Sequence, residues 1–289
     1  MRRRLVTALV LLVVVGLLAG CTGGISTAKL EPKLSPPIIA HPGVLRAVVD
    51  MSYPPFAGKV GEEPVGLDVD VAAAIADALG LKLELIDAKP AAAAALVQTG
   101  TADVVLGGLT VEQAVASQLA FAGTYISDGP AVFAAKDATI SLDALGGMRI
   151  AVQKGSLAYW TLLDEYGEGS LVAVPTLLDA FKAVEAGDAD VVAGDALVGG
   201  YMLRDHAGLE FVGQIGDAVP LGVGVSVSQP KLESEVRAIL DRLAAEGVLS
   251  TLRRKWVGDL PPLTVPSASE DVSLAPSGDT TGSAETSAP

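Results

Sequence analysis

The sequence predicts an α/β protein of two lobes, and three observations predict it. Short β-branched runs alternate with helical patterns along the core. The pattern G-x-A-D-V-V-x-G occurs at residues 100–107 and again at 187–194, 87 residues apart. Between a polar, proline-containing leader segment and a Pro/Ser/Thr tail lie about 215 residues, enough for two modest lobes. The echo is too short to establish a duplication, but two similar α/β units side by side would offer a cleft. In open α/β sheets ligands bind outside the carboxyl ends of strands. That rule nominates Gly108 and Asp195, which follow the two copies.

Residues 1–20 join Arg2, Arg3 and Arg4 to an apolar run from Leu5 to Leu18, ending in Ala19 and Gly20 before Cys21. The run is shorter than the ~20 residues of a transmembrane helix, which marks a signal peptide. Leu18-Ala19-Gly20-Cys21 resembles the lipobox of bacterial lipoproteins, in which the cysteine becomes the first residue and its thiol carries a diacylglycerol. Cys21 is the only cysteine, so no internal disulfide can form and a lipid anchor on the outer face of the membrane is the expectation. Residues 21–43, rich in Gly, Ser, Lys and Pro, are expected to be a flexible spacer.

Strands are expected at 44–49, 81–86, 103–106, 131–135, 149–152, 171–174, 190–193 and 221–227. Asp68 is the expected N-cap of a helix carrying Val71, Ile75 and Leu79, stopped by Gly80. In GGLTVEQAVASQLAF, residues 107–121, Thr110 and Gln113 have the spacing of an N-cap and its N3 partner, followed by an amphipathic run. Pro90 to Ala95 is featureless. Thr176 with Asp179 starts a helix with Leu177, Phe181 and Val184 on one face, ending near Gly187. Leu232, Val236, Ile239, Leu240 and Leu243 make a long stripe closed by Gly247. Residues 261–289 have too little apolar content for a core and are expected to be a disordered acidic tail.

The chain carries 20 bases and 34 acids, a net charge of −14; without the three leading arginines, 17 bases face 34 acids. Such a surface excludes nucleic acid and anionic lipid as partners. No phosphate loop, dinucleotide fingerprint or zinc-protease helix is present, and His41 and His206, the only histidines, sit in the spacer and a polar turn. No metal, no cofactor and no catalytic residues are expected. Ser26 and Lys29 have the spacing of a penicillin-binding motif but lie in the spacer without its partner motifs.

In VLRAVVDMSYPPF, residues 44–56, a strand ends at Asp50 and a proline-stiffened loop presents Tyr53 and Phe56. One reading is a turn with aromatic core plugs; the other sets Tyr53 over the cleft as a wall for a ligand. With GLDVDVAAAIADALGLKLEL, LVQTGTADVVLGGLT, FAGTYISDGPAVFA, LGGMRIAVQKGS, AGDADVVAGD and the segments from VPLGVGVSVSQ to KWVG, the chain resembles family 3 extracellular solute-binding proteins of polar amino acid ABC transporters.

The resemblance implies a periplasmic-binding-protein-like (type II) fold, two α/β lobes joined by two hinge strands near 129–134 and 221–225. Lobe 1 would span 44–130 and return at 226–260; lobe 2 would span 131–225. It implies a monomer that closes around a small polar solute and delivers it to an ABC permease and its ATPase. Carried over residue by residue, Asp50 and Tyr53 match positions near the ligand side chain, and Gly107, Gly108 and Thr110 match the first-lobe loop. Gly155 and Ser156 match the second-lobe turn that receives a carboxylate, and Asp195 matches the acid that pairs with an α-ammonium.

Two positions depart from the pattern. Val115 falls where the family carries an arginine that grips the ligand carboxylate, and the second aromatic wall falls near Pro90. Either another cation substitutes, with Lys154 the first candidate, or the ligand is an amine without a carboxylate, held by Asp195 and aromatics such as Tyr53, Tyr159 or Trp160. Or the pocket has become a docking or sensing module. A receptor that signals, and a prephenate-type dehydratase using Asp50, Asp195 or Glu112 as an acid, are the rivals from other classes.

Overall fold

The computed structural model describes residues 31–266, apart from the side chain of Val115. The signal peptide, Cys21 and the tail beyond 266 lie outside the described residues. The first sheet contains β1 (Val44–Val49), β4 (Lys82–Asp87), β5 (Val104–Leu109), β6 (Leu119–Asp128) and β12 (Val219–Ser226), in the order β4-β1-β5-β12-β6. The second contains β7 (Pro130–Ala135), β8 (Ile150–Gln153), β9 (Leu171–Val174), β10 (Val191–Asp195) and β11 (Leu209–Gln214), in the order β11-β7-β10-β8-β9. A hairpin of β2 (Gly58–Val60) and β3 (Glu63–Val65) stands apart.

The two sheets share one plan. In each, three strands run parallel, β4-β1-β5 and β9-β8-β10, and two antiparallel strands complete the far side. The sequence echo is the start of β5 and of β10, and the equivalence extends to hydrogen bonds. Asp103 Oδ2 accepts the amide of Arg46 on β1 at 2.8 Å, and Asp190 Oδ2 accepts that of Arg149, next to β8, at 2.8 Å. Each arginine then reaches back to a carbonyl of the turn before the partner strand, Arg46 to Thr101 and Arg149 to Asp188. Gly108 and Asp195 therefore occupy equivalent places.

Helices α1 (Leu67–Ala78), α2 (Pro90–Gln98) and α3 (Val111–Ala116) connect the first sheet. Helices α4 (Leu157–Tyr166), α5 (Leu177–Glu185) and α6 (Ala196–Met202) serve the second. Helices α7 (Pro230–Ala245) and α8 (Val248–Val257) return to the first lobe, where Lys255 Nζ and Trp256 Nε1 each donate to Asp70 Oδ2 on α1 at 2.6 Å. The stripe Leu232, Val236, Ile239, Leu240 and Leu243 is buried in the same cluster as Val71 and Ile75 of α1 and Leu79 just after it.

Several expectations are corrected. Asp68 does not cap α1: Gly66 precedes the helix at φ 146, and Asp68 turns into the core, fully buried, accepting the Tyr125 hydroxyl at 2.6 Å. The amphipathic run after Thr110 is helical for only six residues. Gln118 takes φ 55, and Leu119 opens a ten-residue strand whose Leu119, Ala120 and Phe121 pair with Ser226, Val225 and Gly224. The alanine run is not featureless: Pro90 opens α2, where its fixed φ suits a first turn and alanine has the best helix propensity.

The expected flexible spacer is docked from residue 31 onward. Leu34 and Ile39 are buried against the first lobe, Ala40 N–H donates to Asp103 Oδ1 at 2.7 Å, and Pro37 accepts from the Gln229 side chain at 2.8 Å. The expected tail likewise begins docked, since Gln214 and Thr264 exchange two hydrogen bonds at 2.8 Å. The second change of sheet comes earlier than expected. β12 is bonded into the first sheet from Val219 onward, so the return to that sheet falls in the segment between Gln214 and Val219, ahead of residues 221–225 and of the expected lobe 2 boundary at 225. The first change of sheet is at Gly129, between β6 and β7.

Candidate functional site

Both changes of sheet and the carboxyl ends of β1, β5 and β10 meet at one place. Tyr53 and Phe56 from the loop after β1, Gly107 and Gly108 from β5, Asp128 and Gly129 from the first crossing, and Asp195 from β10 line a cavity of about 180 Å³, closed by Leu157, Val219 and Leu221. Backbone geometry builds it. Gly107 and Gly108 sit at φ 116 and 74, a region other residues avoid, and a Cβ on either would meet nothing within 4 Å. The chain thus turns its bare backbone toward open space.

Tyr53 and Phe56 divide the two roles foreseen for the aromatic loop. Their rings stack at 5.3 Å and 9°, but Phe56 is buried in the first-lobe core while Tyr53 remains 42% exposed and faces the cavity. Carbonyl Tyr53 accepts the amides of Phe56 and Ala57 at 3.0 and 3.2 Å, which fixes the loop.

The cavity is electronegative. Asp128 accepts the amides of Gly129 and Leu197 at 2.8 and 3.1 Å, and burial, reinforced by the nearby Asp195 charge, pushes its carboxyl up to about 7. Burial also raises Asp195. Burial and then the charges of Asp195 and Asp128 push the Tyr53 phenol up to about 12. Asp195 is in register with Pro130, and Ala196 N–H donates to the Gly129 carbonyl at 2.9 Å, so both acids stand at the crossing itself. Among the described residues no lysine or arginine lines the cavity.

The model of bacterial extracellular solute-binding proteins, family 3, matches residues 45–259. The chain belongs to this family. It is 24% identical over 201 residues to the ABC transporter glutamine-binding protein of Bacillus subtilis (strain 168), covering 68% of this chain and 74% of that protein. It is 26% identical over 221 residues to the arginine-binding periplasmic protein of Mannheimia haemolytica, covering 73% and 90%. Among solved structures, an ancestral cationic amino acid solute binding protein superposes with a TM-score of 0.67 at 26% identity, covering 74% of this chain and 96% of that one. The fold is therefore that of the type II periplasmic amino-acid-binding proteins, and the family acts outside the cytoplasm. Among the described residues no helix is long and apolar enough to cross a membrane.

In this solute-binding protein the structure brings Tyr53, Gly107, Gly108 and Asp195 together and leaves the other expected residues outside the cavity lining. Asp50 is engaged elsewhere: burial acts to raise its carboxyl, but the Ser52 hydroxyl and amide at 2.6 and 3.0 Å and Lys89 Nζ at 3.2 Å hold it below the ordinary value. Thr110 caps α3, exchanging bonds with Gln113 at 3.0 and 3.2 Å. Ser156 caps α4, accepting Tyr159 N–H at 3.1 Å, with Gly155 beside it at φ 80. Lys154 is exposed and lines no part of the cavity. Tyr159 is a core residue of the second lobe, and Trp160 points outward, 58% exposed.

Asp128 escaped the sequence reading. It stands in YISDGP, which reads as a turn; an acid directly before Gly-Pro, at the point where one strand leaves its sheet and the next begins, was the available signal. A second cavity, of about 300 Å³, also escaped it. Pro90, Ala91, Ala93 and Ala94 of α2 face the end of β5 and Gln113, Ser117 and Leu119 across it, and it shares Gly107 and Gly108 with the first. This cavity lies beside Pro90, near which the family resemblance placed an aromatic wall.

Proposed function

We propose that the protein is the lipid-anchored solute-capturing component of an ABC importer, tethered through Cys21 and binding a small amino-acid-like or amine solute between its lobes without chemical change. The observation that supports this most is the convergence of Tyr53, Gly107, Gly108, Asp128 and Asp195 at the two crossings between lobes. A solute there touches both lobes at once, so it stabilises the closed arrangement by its differential contacts. The relatives named as glutamine- and arginine-binding proteins support an amino-acid-like cargo. The lobes then present the closed, loaded form to a permease with its ATPase, and the receptor acts as a monomer.

Thermal unfolding combined with small-angle scattering tests this on the purified protein. A cleft ligand present at a hundredfold its Kd adds about 2.7 kcal/mol of stability, several degrees in melting temperature, and lowers the radius of gyration. A solute that stabilises without compaction, or a panel of amino acids and amines of which none stabilises, would refute capture between lobes. Mass spectrometry of the membrane fraction checks the diacylglycerol on Cys21.

A further inference from the structure

The two cavities and their lining narrow the solute. One end holds two carboxylates, Asp128 and Asp195, together with the Tyr53 ring, and among the described residues no base lines it. The other is walled by Pro90, Ala94 and Leu119 and holds no charged side chain at all. Gly107 and Gly108 line both, and a Cβ on either would meet nothing within 4 Å. An amino acid's carboxylate finds little here. The α4 N-terminus, whose first residue Leu157 lines the first cavity, is the anion-friendly element, and it brings no charged side chain to that lining.

We propose, resting on the solute-capture reading above, that the cleft takes an elongated cationic solute: an ammonium or guanidinium end between Asp128 and Asp195, and an apolar stem across Gly107 and Gly108 into the alanine-walled cavity. The Tyr53 ring covers the cationic end, where a π face adds attraction. The stem replaces water in a recess without charged side chains, packing on Pro90, Ala94 and Leu119 beside Gln113 and Ser117, and the absence of a lining base removes the preference for a carboxylate. Small amines leave the second cavity unused.

Calorimetric titration of the purified protein with butylamine, hexylamine, octylamine and L-2-aminooctanoate tests the proposal. Burial of each added methylene tightens binding about fourfold, so octylamine should exceed butylamine by on the order of a hundredfold and should also exceed L-2-aminooctanoate. Asp128→Asn should weaken every amine roughly thirtyfold, and Ala94→Phe, which fills the recess, should flatten the dependence on chain length. Equal affinities along the series in the unaltered protein overturn the proposal, as does tighter binding of L-2-aminooctanoate than of octylamine. Melting curves of both variants identify a folding defect, and the series on the unaltered protein decides without them. Binding of L-glutamine or L-arginine with compaction, but of no alkylamine, overturns the elongated cation and leaves solute capture standing. Silence from every compound overturns both.

Discussion

Asp68→Asn should make the protein more stable at pH 8 than the unaltered chain, by a margin that vanishes toward acid. The carboxyl of Asp68 is wholly enclosed between α1 and β6. One oxygen accepts the Tyr125 hydroxyl at 2.6 Å and the other has no partner among the described residues. Burial pushes its pKa from 3.8 up to about 7, against the lowering effect of the Tyr125 bond. Because the folded pKa is the higher one, the folded protein holds this proton while the unfolded chain gives it up. Asp68 therefore costs nothing below about pH 4, costs about 1.4 kcal/mol more for each unit between pH 4 and 7, and reaches a plateau of about 4 kcal/mol above.

Asparagine keeps the acceptor for Tyr125 and does not titrate. The difference in unfolding free energy between variant and unaltered protein should thus grow by about 2–3 kcal/mol from pH 5 to pH 8. Urea titrations at pH 5, 6, 7 and 8 measure it, and because Asp128 and Asp195 titrate in both proteins, their contributions cancel. A difference that stays constant across these four pH values would refute the reasoning, since it would mean that Asp68 ionises as it does in water.

Gly199→Ala should destabilise by about 1–3 kcal/mol, although alanine favours helix, because its Cβ would collide with the Phe133 ring, which is fully buried against Phe181 and Phe211; chemical denaturation measures it. Asp103 and Asp190 occupy equivalent places but differ in burial. Asp103→Ala should cost about 2–4 kcal/mol by orphaning the amides of Ala40 and Arg46, whereas Asp190→Ala, whose side chain is 41% exposed, should cost about 1 kcal/mol or less. Equal losses in urea would contradict this. Binding of a cation in the cleft should weaken roughly tenfold from pH 8 to pH 6, as the Asp128 carboxyl, facing Asp195 and a Tyr53 phenol that stays neutral, takes up a proton the cation must displace; calorimetry at both values checks it.

What could be read in advance followed from periodicity and from turn chemistry. The stripe of α7 and the capping pairs Thr110–Gln113 and Thr176–Asp179 stand where the spacing put them. Misreadings arose where local signals favoured a competing structure. Asp68 precedes a periodic run as a cap does, yet the demand for a partner inside the core, Tyr125, decides its direction. Residues 119–121 continue a helical stripe, yet pairing with β12 claims them for a strand. Leu34, Ile39 and Thr264 look like linker because their partners lie far away in sequence. Asp103 and Gln229 meet the first segment and Gln214 the second, and none of those pairings leaves a local trace.

The echo explains more of the site than any single motif. Two sheets of one plan, facing each other across their strand ends, bring equivalent residues together, so a feature shared by both lobes would make a symmetric cleft. At the decisive position the copies differ: Gly108 offers bare backbone and Asp195 offers a carboxylate. Asp128, held by the crossing rather than by either repeat, adds a second charge on the same side. The alanines of α2 then open a recess beyond the glycines. Charge thus runs from two acids at one end of the cleft to an uncharged recess at the other, and a solute is sorted by whether its own charge runs the same way.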